Sequence, residues 1–286
     1  MLVVRSIVRQ RALSEIWRRR GLRIGYVPTM GALHDGHMSL VRKSLRCCDR
    51  TVVSVFVNPK QFGPLENYAR YPRPFGADRR LLERAGVHVL FAPRAAVMYP
   101  GGFASAVEVG GALTKGLCAA FRPGHFRGVT TVVAKLFNAV KPHVAYFGRK
   151  DAQQAAVIRR MTCDLDLGVR VDVLPTVREK GGLAMSSRNA SLDPAERRAA
   201  PVLYRALCAG RDAIRRGARR AARVRAVMRR AIAVEPLVRV QYLAIVDAQT
   251  LKPLSRLKGE VLLAVAARLG STRLIDNLSV RISTRA

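Results

Sequence analysis

Apolar and polar residues alternate in two periods along this chain. A continuous apolar run from Ile24 to Thr29 ends around Pro28 and Gly31, which predicts a buried strand entering a loop. Met38, Val41 and Leu45 then recur at helical spacing. Thr51 to Val57 is β-branched and almost wholly apolar, as a parallel strand covered on both faces should be, and it stops at Asn58-Pro59. His88 to Ala92, Val144 to Gly148 and Arg170 to Leu174 read as further strands, with room between them for crossover helices. One such helix shows in Val129, Val132, Val133, Leu136, Phe137 and Val140, and another in Ile7, Leu13, Ile16 and Trp17. Strand and helix in alternation predict an α/β fold with a parallel, doubly wound sheet.

After Thr176 the texture changes. Asp193-Pro194 opens a long Ala/Arg-rich helical stretch to about Val234, and β pattern returns at Tyr242 to Val246, Val261 to Ala266 and Arg273 to Ile275. The expected organisation is therefore an N-terminal parallel-sheet domain over 1–176 and a smaller α+β C-terminal domain over 177–286, whose strands would form an antiparallel sheet.

Composition sharpens this picture. Of the 286 residues 49% are hydrophobic, which excludes a disordered chain despite a formal net charge of +32. Only nine of the 51 basic residues are lysine, so arginine carries the excess. Such a field attracts polyanions: ATP, pyrophosphate and nucleic acid all qualify. The densest basic segment holds Arg211, Arg215, Arg216, Arg219, Arg220, Arg223, Arg225, Arg229 and Arg230, with no aromatic residue among them to stack on bases. It reads as a solvated helix face rather than a nucleic-acid site. Five cysteines without a Cys-x-x-Cys pair suggest a reducing compartment. No apolar run is long enough to span a bilayer, and Leu2 to Val4 is too short for a signal-peptide core, so a cytoplasmic location is expected.

Two polar clusters carry candidate chemistry. Met30-Gly31-Ala32-Leu33-His34-Asp35-Gly36-His37 lies between a predicted strand and a predicted helix, where backbone N–H groups and the helix dipole favour a phosphate. Gly36 would let a nucleotide approach the backbone, and His34 and His37, three apart, can face the same way. Each imidazole could donate a hydrogen bond to an oxygen that gains charge as a phosphoanhydride breaks. A zinc site is the weaker reading, because His88, His125 and His143 lie far along the chain without a paired pattern, and no metal ligands are assigned. Met185-Ser186-Ser187-Arg188-Asn189, after Gly181-Gly182, offers hydroxyls and a guanidinium suited to phosphate oxygens, although a capped polar loop has the same composition. Together the two clusters resemble those of class I adenylate-forming enzymes.

The likeness then becomes specific. The strings from Val27 to His37, Phe56-Val57-Asn58-Pro59 with Gln61-Phe62, Arg122 to Val129, Tyr146-Phe147-Gly148 with Lys150-Asp151, Gln153-Gln154, Met185 to Asn189 and Arg273 to Asn277 resemble, in this order, the pantothenate synthetase (pantoate–β-alanine ligase) family. That resemblance implies a Rossmann-like N-terminal domain, a C-terminal domain closing over it, Mg2+ accompanying ATP, and a homodimer. It implies that Met30, Gly31, Ala32, Leu33, His34, Asp35, Gly36 and His37 hold ATP together with Gly148, Arg149, Lys150, Asp151, Val177, Met185, Ser186, Ser187 and Arg188. His37 would be the proton donor, with His34, Lys150 and Arg188 the other catalytic groups and Lys150 on the phosphates. Gln61 and Gln154 would grip pantoate, Gln61 also lying near β-alanine. Pantoate would be activated as an acyl-adenylate and joined to β-alanine. Its carboxylate is ionised at neutral pH, so alignment and charge stabilisation suffice, with no catalytic triad.

Departures from the family pattern stand at Lys60, Arg149 and Gly181, where Met, Glu and Asp are usual. They would raise the positive potential near the phosphates and tighten ATP or pyrophosphate binding, or else represent neutral drift. Two rival readings remain on the sequence. An aminoacyl-tRNA synthetase-like protein suits both clusters but lacks an evident anticodon-binding module. A nucleic-acid-binding protein on a degenerate enzyme scaffold suits the charge but not the intact motifs.

Overall fold

The computed structural model describes residues 1–63 and 68–282; the last four residues of the expected C-terminal domain lie outside that range. The chain divides into two compact units. The first holds Met1–Val109, Arg122–Gly148 and Val157–Pro175; the second holds Gly110–Phe121, Arg149–Ala156 and the chain from Thr176 onward.

In the first unit six strands form one sheet in the order β1-β4-β3-β2-β5-β6, where β1 is Leu2–Val4, β2 Ile24–Thr29, β3 Arg50–Val55, β4 Val89–Phe91, β5 Val144–Gly148 and β6 Arg170–Leu174. Every pairing is parallel. The intervening helices are α1 (Ile7–Arg19), α2 (Asp35–Cys47), α3 (Phe75–Arg84), α4 (Ala95–Met98), α5 (His125–Val140) and α6 (Ala152–Asp164), the first turn of α6 belonging to the second unit. Tyr26, Val27, Val52, Val53 and Leu90 have no exposed surface, which explains the continuous apolar runs. Each such side chain stabilises the fold by about 1.5–3 kcal/mol on burial. The order reverses at β2, which has β3 on one side and β5 on the other. Ligands bind in α/β sheets at such a reversal, outside the carboxyl ends of the strands. The loop after β2, carrying Met30 to His37, starts there. The sheet matches the expected fold class and adds β1, an edge strand of three residues.

In the second unit the expected long helical stretch is three helices, α7 (Pro194–Ala199), α8 (Val202–Arg215) and α9 (Ala221–Ala233). Asp193 caps α7: its Oδ1 accepts the N–H of Glu196 (2.8 Å) while Glu196 Oε2 accepts that of Asp193 (3.1 Å), with Pro194 at the first helical position. The strands β7 (Val238–Asp247), β8 (Glu260–Leu269) and β9 (Thr272–Arg281) form an antiparallel sheet in the order β7-β8-β9. Leu203, Leu207, Val224, Met228, Leu263 and Val265 fill the core between these helices and the sheet. Arg215, Arg216, Arg219, Arg220, Arg223, Arg229 and Arg230 are exposed, as a solvated helix face requires. No described helix is long and apolar enough to cross a membrane.

Candidate active site

The loop after β2 is held in a conformation that ordinary residues avoid. Gly31 has φ +85° and Ala32 φ +50°, so two successive residues sit in the left-handed region. A Cβ on Gly31 would come within 2.9 Å of Asp78 Oδ2 and 3.0 Å of Val55 Cγ1. Asp78, on α3 and 1% exposed, fixes the turn by accepting the N–H of Ala32 on Oδ2 (2.9 Å) and that of Leu33 on Oδ1 (2.8 Å). Two charge-assisted bonds offset the strain at Ala32.

His34 is then the N-cap of α2, its Nδ1 accepting the N–H of Gly36 (3.1 Å), and the Nδ1 of His37 accepts the N–H of His34 (3.4 Å). The rings lie 4.0 Å apart between centroids, tilted by 36°. Because each Nδ1 faces a backbone donor, each neutral ring carries its proton on Nε2. Both side chains are half-buried rather than turned into the core. The local sequence thus builds a pair of Nε2–H donors at the positive end of a helix, a suitable cradle for developing negative charge.

Gln61 follows β3 in a short 3-10 turn, Pro59–Gln61, and its amide orientation is fixed by its neighbours. Tyr99 O–H donates to Asn58 Oδ1 (2.7 Å), and Asn58 Nδ2 donates to Gln61 Oε1 (3.1 Å) and to the Gly128 carbonyl (3.0 Å). Gln61 Nε2 is left to donate, and it meets the Met30 thioether at 3.0 Å, a weak acceptor. The Gln61 carbonyl lies 2.8 Å from His125 Nδ1, whose Nε2 lies 2.8 Å from Arg122 Nη1. A guanidinium only donates, so His125 Nε2 accepts and its Nδ1–H donates to Gln61. Gly128 is required at this crossing, since a Cβ there would run into the Lys60 carbonyl. The ammonium of Lys60 itself sits over the rings of Tyr99 (5.2 Å) and Phe103 (5.3 Å). This is a cation–π placement. Close by, the ends of β3 and β4 open on a cavity of about 400 Å³ bordered by Met30, Phe56, Phe75 and Asp78.

In the second unit Lys150, Ser186, Arg188, Tyr204, Arg273 and Asp276 line one small cavity of about 10 Å³, room for a single water-sized oxygen. Lys150 Nζ lies 3.5 Å from Ser186 Oγ and 3.9 Å from Asp151 Oδ1. Ser186 caps the turn Ser187–Ser191 by accepting the N–H of Arg188 (3.3 Å), so its own hydroxyl proton is what it can offer a ligand. Beneath them, Arg178 makes a bidentate pair with Asp276 (2.6 and 2.9 Å) and stacks 3.8 Å over the Tyr204 ring. Burial pushes the Asp276 carboxyl upward and Arg178 opposes that shift. Val177 joins the same loop, its carbonyl accepting the N–H of Met185 (3.0 Å).

The expected site residues thus fall into two sets. Met30 to His37 and Gln61 are brought together in the first unit, where Gly148 ends β5; Lys150, Ser186 and Arg188 are brought together in the second, with Val177, Met185 and Asp151 adjoining and Arg149 exposed. The two glutamines of the Gln153-Gln154 string separate in role. Gln153 is buried and spent on the backbone of Leu113, Gly116 and Cys118, while Gln154 beside it is half-buried. Asp78 and Tyr99 carry no sequence signal of their own, since their partners are 46 and 41 residues away. Among the described residues no three His, Cys, Asp or Glu side chains form a metal-holding group.

A parallel sheet with paired imidazole donors outside its central strand in one unit, and a Lys, Ser and Arg cluster in the other, suit an enzyme of the nucleotide-binding class. Comparison with known proteins narrows the class. The family model described as pantoate-beta-alanine ligase matches residues 2–279. The chain is 55% identical over 282 residues to a pantothenate synthetase of Heliobacterium modesticaldum, covering 99% of this chain and all of that protein. It is 55% identical over 266 residues to a pantothenate synthetase of Moorella thermoacetica, covering 93% and 94%. Among solved structures, the pantothenate synthetase of Thermus thermophilus superposes with a TM-score of 0.92 at 49% identity, covering 97% of this chain and 99% of that one. A pantoate-beta-alanine ligase of Francisella tularensis, complexed with beta-gamma ATP and beta-alanine, gives 0.78 at 31%, covering 97% of each. The chain belongs to the pantoate–β-alanine ligase family, and it is an enzyme of that class.

Proposed function

We propose that this chain joins (R)-pantoate to β-alanine through a pantoyl-adenylate, converting ATP to AMP and pyrophosphate on the way to pantothenate. The observation that carries this reading is the pair of imidazoles at the start of α2 whose Nδ1 atoms face backbone N–H groups, which leaves Nε2 as the proton-bearing atom of each neutral ring at a helix end that favours phosphate. The pantoate carboxylate attacks the α-phosphorus; the α–β bond breaks and its electrons leave on pyrophosphate. His37, assisted by His34, donates to the oxygen that gains charge. Lys150 and Arg188 neutralise the leaving phosphates and Ser186 donates its hydroxyl proton to them, with Gly148 to Asp151, Val177 and Met185 completing the nucleotide contacts. Gln61 Nε2, already oriented as a donor, moves from the Met30 sulfur to a pantoate oxygen, and Gln154 takes another. The neutral amine of β-alanine then attacks the acyl carbon beside Gln61, forming the amide, expelling AMP and losing one proton.

Magnesium belongs to the nucleotide substrate in this reading. The donor set fits that role: Mg2+ on a nucleotide keeps phosphate oxygens and waters and needs only one or two carboxylates, and Asp151 stands beside Lys150. When bound, the ion would reduce the charge repulsion among the phosphates. A homodimer and a cytoplasmic location complete the proposal. An odd number of cysteines, five, without a Cys-x-x-Cys pair supports a reducing compartment. The exposed arginines are assigned to solvation, not to nucleic acid.

The test is exchange of labelled pyrophosphate into ATP. Exchange that requires pantoate and proceeds without β-alanine supports the reading. Exchange that requires an amino acid instead, or no exchange with salt-sensitive RNA binding, overturns it.

A further inference from the structure

The late string Arg273 to Asn277 stands out in the sequence without acquiring a role there. Its last residue reaches back across the chain: Asn277 Nδ2 donates to the carbonyls of Arg149 (2.9 Å) and Lys150 (2.8 Å), 128 and 127 residues away. Those carbonyls belong to the 3-10 turn Arg149–Asp151 that presents the Lys150 side chain. Asn277 is 6% exposed, and its Oδ1 has no hydrogen-bond partner among the described residues. The amide orientation is thereby settled by chemistry, because the opposite flip would set an oxygen against two carbonyl oxygens. An acceptor left without a partner is a cost the fold bears to hold that turn.

The strand behind it is anchored as well. Asp276 is 4% exposed and pairs with Arg178, whose Nη2 also lies 3.4 Å from the Asn277 carbonyl. Arg178 in turn stacks on Tyr204, and Gly182 leaves room for that ring, since a Cβ there would come 2.6 Å from Tyr204 Cδ1. The chain of contacts runs Tyr204, Arg178, Asp276, Asn277, then the turn that carries Lys150.

We infer that Asn277 is a positioning residue for adenylate formation, acting through Lys150 by clamping the two carbonyls of its turn. The inference rests on the proposed role of Lys150 at the phosphates. A residue that only supports the fold lowers stability and leaves the turnover of folded enzyme intact. A residue that aims Lys150 lowers kcat for pantoate-dependent exchange while the KM for pantoate stays put, because a misplaced ammonium weakens transition-state contacts.

The experiment is a double-mutant cycle with Asn277→Ala and Lys150→Ala, read by pyrophosphate exchange on protein shown folded by circular dichroism. Asn277→Ala should lower kcat about 10–100-fold, in keeping with the roughly 10²-fold cost of displacing a reacting arrangement by about 1 Å. Asn277→Asp, which keeps the shape but turns a carboxylate on the same carbonyls, should do no better. In the Lys150→Ala background the Asn277 substitution should cost less than about twofold, since its target is gone. If the two losses multiply, Asn277 does not act through Lys150 and the inference falls, although Lys150 keeps its role. If Lys150→Ala exchanges normally, the Lys150 reading itself fails. If Asn277→Ala folds and exchanges at the normal rate, the clamp is irrelevant to turnover.

Discussion

The Nδ1 atom of His37 accepts the backbone N–H of His34, and the His34 ring lies 4.0 Å from that of His37. The proton-bearing atom of each neutral ring is therefore Nε2. Glutamine places an amide nitrogen near the position of Nε2, whereas asparagine reaches only as far as Nδ1. His37→Gln should keep more exchange activity than His37→Asn, and His37→Ala should lose about 10²–10³-fold in kcat, the usual effect of deleting one donor to a developing oxyanion. Equal loss in the Gln and Asn variants would assign the work to another atom.

Asp78 holds the left-handed turn through two backbone N–H groups. Asp78→Asn keeps one acceptor and replaces the other with a donor facing an N–H. Denaturant unfolding should show a loss of about 1–3 kcal/mol, the cost of leaving a buried backbone group unpaired. The KM for ATP should rise with it, because the same turn sets the entry to α2.

Gly128 lies against the Lys60 carbonyl, in the turn that carries Gln61. Gly128→Ala must push that turn aside, and overpacking of this kind costs about 1–3 kcal/mol. Thermal melting should report the destabilisation, and initial rates should show a KM for pantoate raised more than the KM for ATP. A variant with unchanged pantoate KM would separate Gln61 from that substrate.

Two histidines outside the site set a pH dependence of stability. His143 Nδ1 accepts the N–H of Ile24 (2.9 Å) and His88 Nδ1 accepts that of Thr51 (3.1 Å), each at the start of a sheet strand. Burial first, then nearby arginines, lower both from the ordinary 6.5. The unfolded chain takes up these protons at higher pH than the folded one, so the contribution is fully present above 6.5 and is lost as pH falls through the depressed folded values. Melting temperature should drop as pH falls below about 6.5, and His143→Asn, which keeps an acceptor but cannot titrate, should flatten that drop. An identical pH slope in the variant would place the effect elsewhere.

Much of the parallel sheet is legible in the sequence because buried parallel strands are apolar throughout. Val144 to Gly148 and Arg170 to Leu174 have the same limits in sequence and structure. Leu2 to Val4 does not announce itself as a strand, since three residues at an edge carry no period and gain their identity from pairing with β4. The stretch from Asp193 to Val234 reads as helical throughout because its helices share an Ala/Arg texture, while the breaks near Pro201 and Gly217, which divide it into three helices, are local. The two motif loops are visible as strings, but what holds them is not. Asp78, Tyr99 and Asn277 act on residues 41 to 128 positions away, and only folding brings donor to acceptor. The same holds for Gly110–Phe121 and Arg149–Ala156, which join the second unit through space rather than along the chain.

The central claim is that a pantoate oxygen becomes bonded to the α-phosphorus of ATP. Pantoate labelled with 18O in its carboxylate, incubated with ATP and β-alanine and followed by mass spectrometry of the products, tests it directly. One labelled oxygen should appear in AMP at each turnover, with none in pyrophosphate. Label found in inorganic phosphate or pyrophosphate, or AMP formed without label, would contradict the account.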